Sequence, residues 1–472
     1  MRRFSSGAIT GVSLKTNASE IGDTAIVLGG SITGLLAARV LADFYRDVVV
    51  IERDVLPDGP RTRRGVPQGG LPHIPPARLT RSLEQLFPGF LDELVVGGAR
   101  VWDDGDLSRL CINFGGHELL RSGNVPDPES IVIHYAHRAF LEWNLRRRVH
   151  ALPNVELLQG CDAVRLTSTQ QRARVTGVVV ARRDSGAESV LTADLVVDAT
   201  GRGSRTPIFL EELGYRRPRE DELKVHVTYA GLPVYLEPGT LRENVTLTAA
   251  QPSRPVAFAM FAGENNAYML AVQTLSGQPA PTDRAALFDC LTGVAPPHVL
   301  AAARAAEPLA DVTHYKFPSN RWRRYDKLTR KPDGLIVMGD ALCNFNPLYG
   351  QGMSIAAIEA LILRDCLRDG GDKLPRRFFG RAAKEIAVAW HTAVSSDLAL
   401  PQIAGKRTVS VRLRNALVEH MVRAAQTDPE MVQRFLHLMN MVGRRAELIH
   451  PSTMLRMVPN ARNVPIAARA SA

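Results

Sequence analysis

Cysteine is scarce in this 472-residue chain, and long apolar runs are absent. The five cysteines, Cys111, Cys161, Cys290, Cys343 and Cys366, are odd in number, and no pair has CxxC spacing. That pattern argues against a disulfide framework or a zinc site and fits the reducing cytoplasm, the expected location. Without a stretch of eighteen or more apolar residues, no membrane span is expected. Residues 1–22 are polar and broken by glycine, lack the apolar segment of a secretory signal, and read as a mobile tail. The sequence also lacks an internal repeat, a coiled-coil heptad, a Pro- or Ser-rich divider and any recognised nucleic-acid module. The net charge of +10, from 58 basic and 48 acidic residues, therefore reads as a scattered, solvated basic surface. Its field favours anionic small molecules or an acidic partner over nucleic acid.

What is present is a large apolar fraction, 45% of residues, enough for one large core or two interlocked ones. Residues 24–28 (TAIVL) and 47–51 (DVVVI) are short apolar runs flanking a helical pattern over 34–44. Strand, helix and strand within about thirty residues make a βαβ unit. Residues 57–76, rich in Gly, Pro and Arg, form a long loop, and residues 136–149 form an amphipathic helix. Further strands are predicted over 175–181, 189–192 and 195–198. A second, mainly antiparallel sheet is predicted from 223–235, 245–250, 256–261 and 268–274. An apolar run at 335–338 precedes a helix over 351–367, and from Pro375 onward the pattern is helical, punctuated by Pro401, Pro429 and Pro451. The expected fold is mixed α/β. A Rossmann-like dinucleotide domain (23–80, 131–205 and 331–372) interleaves with a substrate domain (81–130 and 206–330), and a C-terminal helical region covers 373–472.

Two glycine motifs carry the chemistry. The first, Gly29-Gly30-Ser31-Ile32-Thr33-Gly34, directly follows a strand and opens a helix. Gly29 permits the tight turn, Gly34 permits close helix–strand packing, and the helix N-terminus offers N–H groups to a pyrophosphate. Glu52 ends the second strand, where a carboxylate accepts hydrogen bonds from a ribose hydroxyl. Its charge repels a 2′-phosphate, so FAD or NAD fits the site better than NADP. The second motif runs from Val337 to Ala341 (VMGDA) into Pro347 to Met353 (PLYGQGM). There Asp340 can hold a ribityl hydroxyl of FAD. The Gly350–Gly352 turn can aim a helix N-terminus at the flavin pyrimidine, where that dipole favours the anionic reduced ring.

These segments, with Arg63 to Gln68 (RRGVPQ) and Asp194 to Arg205 (DLVVDATGRGSR), resemble the FAD-dependent aromatic hydroxylase superfamily, whose fold is typified by p-hydroxybenzoate hydroxylase. The likeness covers most of the chain from Thr24 onward and is nearest to a bacterial branch that includes polyether epoxidases, in which Ser31 in the glycine loop is a branch feature. The resemblance implies that Glu52 and Arg53 hold the adenosine ribose, Arg138 the phosphates or ribityl chain, Val164 the adenine and Asp340 the ribityl chain. It implies that Gly350, Gly352 and Met353 line the isoalloxazine beside Pro347, and that residues 198–205, with Ser204 and Arg205, brace the FAD domain. The branch usually continues RRGVPQ with xRHxHxL; here Gly69, Gly70, Leu71, Pro72 and His73 follow, and only His73 survives.

What the resemblance implies for activity is monooxygenation through a flavin C4a-hydroperoxide, with O2 as oxidant and NAD(P)H or a partner reductase as electron source. The protein then supplies orientation and dryness. With one βαβ fingerprint, no separate NAD(P)H domain is expected. The second sheet, over 223–274, would roof the flavin with apolar and small residues, among them Ala250, Ala257, Phe258, Met260, Phe261, Met269 and Leu270, with His226 and Tyr229 as its polar handles. The expected reaction is epoxidation of an alkene in a small, apolar polyketide or terpenoid. The alternatives are aromatic or indole hydroxylation and, further off, flavin-dependent alkene reduction. A flavin reductase or an acyl carrier protein is the expected protein partner. Trp102, Trp143, Trp322 and Trp390 stand isolated, without the WxWxIP signature of flavin-dependent halogenases.

Overall fold

A computed structural model describes residues 20–275, 278, 280–443, 453, 456 and 457. Of the tail expected over 1–22, residues 1–19 lie outside the described residues, as does Pro451. The Val- and Ile-rich runs predicted at the start form the centre of a five-stranded sheet. Its spatial order is Leu335–Val337, Leu195–Asp198, Gly22–Leu28, Tyr45–Glu52 and Val155–Gln159. Every neighbouring pair is parallel. Parallel strands are buried on both faces, which is why these read as continuous apolar runs. The register places Leu28 beside both Asp198 and Ile51, and Asp198 beside Val337, so four strands end along one edge. Ligands bind at that edge in open α/β sheets.

Helix Ile32–Leu41 is buried almost all round. It packs on helix Gln351–Arg368, which in turn packs on helix Leu374–Asp397. A three-stranded antiparallel sheet, Cys161–Ser168, Val175–Arg182 and Glu188–Thr192, flanks this layer.

The second large sheet has nine strands, centred on Glu220–Tyr235. That strand pairs with Thr313–Arg323 on one side and Ala267–Thr274 on the other. Val256–Ala262, Val245–Thr248, Leu110–Phe114 and His117–Glu118 extend it outward. Alternation along these strands divides their side chains. Met260 and Leu270 join the core formed with helices Arg284–Leu291 and Pro297–Ala305, whereas Ala257, Ala259 and Ala271 face a cavity. After the Gly339 turn, Cys343–Asn344 pairs with Arg321 and Trp322 at this sheet's edge. The second glycine motif therefore passes directly from the parallel sheet to the antiparallel one.

Several elements went unpredicted. Helices Ala77–Leu86 and Phe90–Val96 pack on the parallel-sheet core, and strand Thr313–Arg323 is central to the large sheet. Helices Val409–Ala424 and Pro429–Met439 follow in the C-terminal region, with Pro429 opening the second of them; of the helical region expected over 373–472, residues 444–452, 454–455 and 458–472 lie outside the described residues. No described helix is long and apolar enough to cross a membrane.

Candidate active site

The first glycine motif closes on itself as the spacing requires. Gly29 sits at φ +101°, and a Cβ there would lie 2.6 Å from the Ala199 carbonyl; at Gly34 it would lie 1.7 Å from the Gly29 carbonyl. Neither position admits a side chain without moving backbone. Ser31 N-caps the helix in extended conformation, and the residues around it form a cavity of about 290 Å³. Gly29, Ser31, Glu52, Arg53, Arg138, Asp340, Pro347, Gly350, Gly352 and Met353 all line it. Gly30 and Gly34 stand behind the wall. Val164 does not reach it; a register shift between Ala163 and Arg165 interrupts the strand there, and Cys161, Asp162 and Ala163 form that part of the wall.

The polar end of this cavity is a buried ion network that motif reading missed. Glu52 is 3% exposed and accepts the Gly30 N–H at 2.8 Å and the Asp54 N–H at 2.9 Å. The Arg63 guanidinium lies 3.2 Å from Glu52, 2.9 Å from Asp54 and 2.9 Å from Glu142. Glu142 accepts the Ser31 hydroxyl at 2.8 Å, and Arg138 donates to that hydroxyl at 3.1 Å. A charge this deeply buried persists only when paired, so the sequence pairs three carboxylates with two arginines. Arg138 Nε is nevertheless buried and has no partner among the described residues. An anion at the helix N-terminus would satisfy it, with the free N–H groups of the first turn.

Asp198, 1% exposed, ties down the DATGRGSR segment. It accepts the Thr200 N–H at 2.9 Å, the Ser204 hydroxyl at 2.5 Å and the Thr206 hydroxyl at 2.6 Å. At the far end, Glu359 accepts the Gly339 N–H at 2.6 Å and so holds the turn that presents Asp340. Burial pushes the Glu359 carboxyl up to about 8. Burial also raises the Asp340 carboxyl, against the pull of Arg138 and Arg202. Gly350 has φ +63° and N-caps helix Gln351–Arg368. A Cβ on Gly352 would meet nothing nearer than Asp340 Oδ1 at 3.7 Å, so the chain leaves open space over this helix end. Glu52, the helix N-terminus with Ser31 and Arg138, Asp340 and the bare Gly350–Gly352 turn thus lie along one cleft. They fit FAD.

A second cavity, of about 140 Å³, adjoins the first through shared residues His73, Pro347 and Gly350. The nine-stranded, mainly antiparallel sheet supplies one wall, with Leu110 and Ile112, Val245 and Leu247, Ala257, Ala259 and Phe261, Ala271 and Gln273, and Tyr229. Phe435, Leu436 and Met439 of helix Pro429–Met439, with its C-cap Asn440, supply another. Of the handles expected in the roof, Tyr229 lines the cavity and His226 does not. His226 sits at φ +47° in a β-bulge between Lys224 and Val227, which turns it to the exposed surface.

The altered loop after Gln68 has a structural reason. A Cβ on Gly70 would lie 2.6 Å from Thr313 Oγ1, and one on Gly231 would lie 2.4 Å from the Gly70 carbonyl. Loop and sheet therefore meet backbone to backbone. His73 Nδ1 donates to the Leu71 carbonyl at 2.8 Å. Burial and the Arg138 charge hold its pKa down to about 3, so its imidazole is neutral.

The floor between the two cavities hangs from one buried carboxylate. Asp397, 1% exposed on helix Leu374–Asp397, accepts the Tyr349 hydroxyl at 2.7 Å, Asn346 Nδ2 at 3.0 Å and Asn320 Nδ2 at 2.5 Å. Tyr229 donates its hydroxyl to Asn346. Burial raises the Asp397 carboxyl, against the pull of these three donors.

Comparison with known proteins agrees with this geometry. Residues 25–221 match the family of FAD dependent oxidoreductases. Protein Rv3254 of Mycobacterium tuberculosis (strain H37Rv) is 35% identical over 469 residues, spanning 95% of this chain and 93% of its own. The chain belongs to the FAD-dependent oxidoreductases. The flavoenzyme's fold also resembles the flavin-dependent brominase Bmp2, with a TM-score of 0.62 at 12% identity over 89% of this chain and 93% of that one. It resembles p-nitrophenol 4-monooxygenase PnpA of Pseudomonas putida DLL-E4, with a TM-score of 0.61 at 16% identity over 90% and 100%. These two likenesses establish the fold, that of flavin monooxygenases. FAD is the cofactor, with NAD(P)H and O2 the typical co-substrates of the class.

Proposed function

We propose that this flavoenzyme is a monooxygenase that epoxidises an alkene in a small apolar molecule of polyketide or terpenoid type. The observation that carries the reading is the pair of joined cavities, one polar and motif-bearing, the other apolar, sharing Pro347 and Gly350. FAD, reduced by NAD(P)H or a reductase, supplies activated oxygen. One oxygen atom adds across the C=C bond and the other leaves as water, with two electrons and two protons consumed.

The residues named above then divide the work. Glu52 and Arg53 take the adenosine ribose, Ser31 and Arg138 the pyrophosphate, Asp340 the ribityl chain, and Gly350, Gly352 and Met353 the ring. The nine-stranded sheet and helix Pro429–Met439 exclude water and hold the alkene against the ring. Epoxidation needs no base, and neutral His73 at the junction adds no charge there.

An incubation with oxygen-18 gas, followed by product mass and NMR, tests the proposal. An epoxide or its ring-opened diol carrying one labelled oxygen is expected. A phenol formed from an arene, without alkene turnover, overturns it in favour of hydroxylation. That second reading draws on one observation, the Asp397–Tyr349 pair beside the apolar cavity, which offers a carboxylate to accept a phenolic proton through a hydroxyl.

A further inference from the structure

The apolar cavity has five polar side chains in its wall: His73, Tyr229, Gln273, Tyr349 and Asn440. Four of them already have partners. His73 donates to Leu71, Tyr229 to Asn346 and Tyr349 to Asp397. Asn440 accepts the Ala77 N–H at 3.0 Å and donates to the Leu436 carbonyl at 3.0 Å. Gln273 differs. It is 4% exposed, its Oε1 is buried, and that oxygen has no hydrogen-bond partner among the described residues.

The register explains why nothing nearby satisfies it. Gln273 pairs with Tyr229 on one neighbouring strand and with Ala257 on the other. The Tyr229 hydroxyl is committed to Asn346, and Ala257 has nothing to offer. The side chain next along the same face, Ala271, is equally bare. Leaving a buried amide oxygen unsatisfied destabilises the fold, and an apolar residue here would avoid that. A polar group kept unpaired in an otherwise apolar pocket marks where a ligand must bring the complement.

We infer that Gln273 is the specificity-determining anchor of this cavity, and that the substrate is not a bare hydrocarbon but carries one hydroxyl or N–H group that hydrogen-bonds the Gln273 amide. This rests on the reading of the apolar cavity as the substrate site. The amide carries an acceptor and two donors, so a hydroxyl suits either of its orientations and an N–H suits its oxygen. The single anchor fixes one end of the molecule on the sheet wall and so selects which double bond reaches the Pro347–Gly350 side.

The test uses two probes of the same shape, indole and indene, which differ in presenting an N–H or a CH2. Each is titrated into the oxidised, FAD-loaded enzyme, and binding is read from the perturbation of the flavin absorption band. The indole-to-indene affinity ratio is expected to fall about ten-fold on Gln273→Leu, with the flavin-to-protein ratio unchanged. Gln273→Met, which keeps the side-chain length, is expected to do the same and serves if the leucine variant fails to fold. If both probes bind and the ratio stays put in the variants, the inference is overturned while the cavity reading stands. If neither probe perturbs the flavin of the wild-type enzyme, the cavity reading falls and takes this inference with it.

Discussion

The two cavities that meet at Pro347 and Gly350 are built by opposite rules. The polar one is assembled around strand ends and helix starts, where backbone N–H groups, glycines and paired charges must stand at fixed spacings. Glu52, Arg63, Glu142, Ser31 and Arg138 form one connected set there. The apolar one is assembled from rows of side chains on strands and a helix far apart in sequence, from Leu110 to Asn440. It contains little that must be one residue type rather than another of similar size. The difference teaches that a cofactor with fixed chemistry writes a motif into the chain, whereas a substrate wall writes only a tendency.

Glu52→Ala tests the polar side hardest. Removing the carboxylate strips the acceptor from the Gly30 and Asp54 N–H groups and one partner from Arg63. It also removes the acceptor proposed for the ribose. Flavin affinity is expected to weaken by roughly 1–3 kcal/mol, measured as flavin retained per protein after dilution and gel filtration. Full retention would show that the acid at the second strand's end does not hold the cofactor.

The same contrast explains what was legible in advance. Four of the five parallel strands, the glycine turn with Glu52, and the Gly339–Met353 segment were readable because each imposes a steric or electrostatic requirement on particular positions, whereas the edge strand Val155–Gln159, only half-buried, gave no such signal. Arg63 was visible only as part of a family-like string, and Glu142 looked like any solvated acid on an amphipathic helix. Asp397 was hidden for the same reason, since a lone carboxylate on a long helix carries no sign that it will meet Tyr349 and Asn346. His226 and Tyr229 were indistinguishable by type, and the bulge that separates them arises from pairing with residues some ninety positions away. Helix Pro429–Met439 entered the wall through tertiary packing alone.

Asp397→Asn sharpens the comparison at the seam. The neutral amide keeps one acceptor but turns an N–H₂ group toward one of three donors, so one of Tyr349, Asn346 and Asn320 loses its partner. The 346–350 segment should then lose its fixed position. Because Asp397 is absent from both cavity walls, flavin content should hold. Oxygenation should fall about ten-fold, the effect of roughly 1.4 kcal/mol in positioning, with more of the NAD(P)H oxidised without product. Equal coupling in variant and wild type would remove Asp397 from any positioning role.

The smallest effect on turnover is expected from Glu359→Gln, and its information lies in pH. The folded-state pKa of Glu359 is about 8 against an ordinary 4.5. Between those values the folded protein keeps a proton that the unfolded chain has released, so stability from this group is complete below 4.5 and declines as pH rises toward 8. Glutamine still offers a carbonyl oxygen to the Gly339 N–H but has no proton to lose. Wild type and variant should therefore melt at similar temperatures near pH 4.5. The variant should melt higher by a few degrees at pH 8, with the gap opening steadily between. A gap that is constant with pH would mean that Glu359 acts through packing alone. A gap of the opposite sign would mean that the carboxylate is ionised in the folded protein and draws stability from a charge near the Gly339 turn. In either case the polar cavity's far end, unlike its ion-paired near end, would need a different electrostatic account.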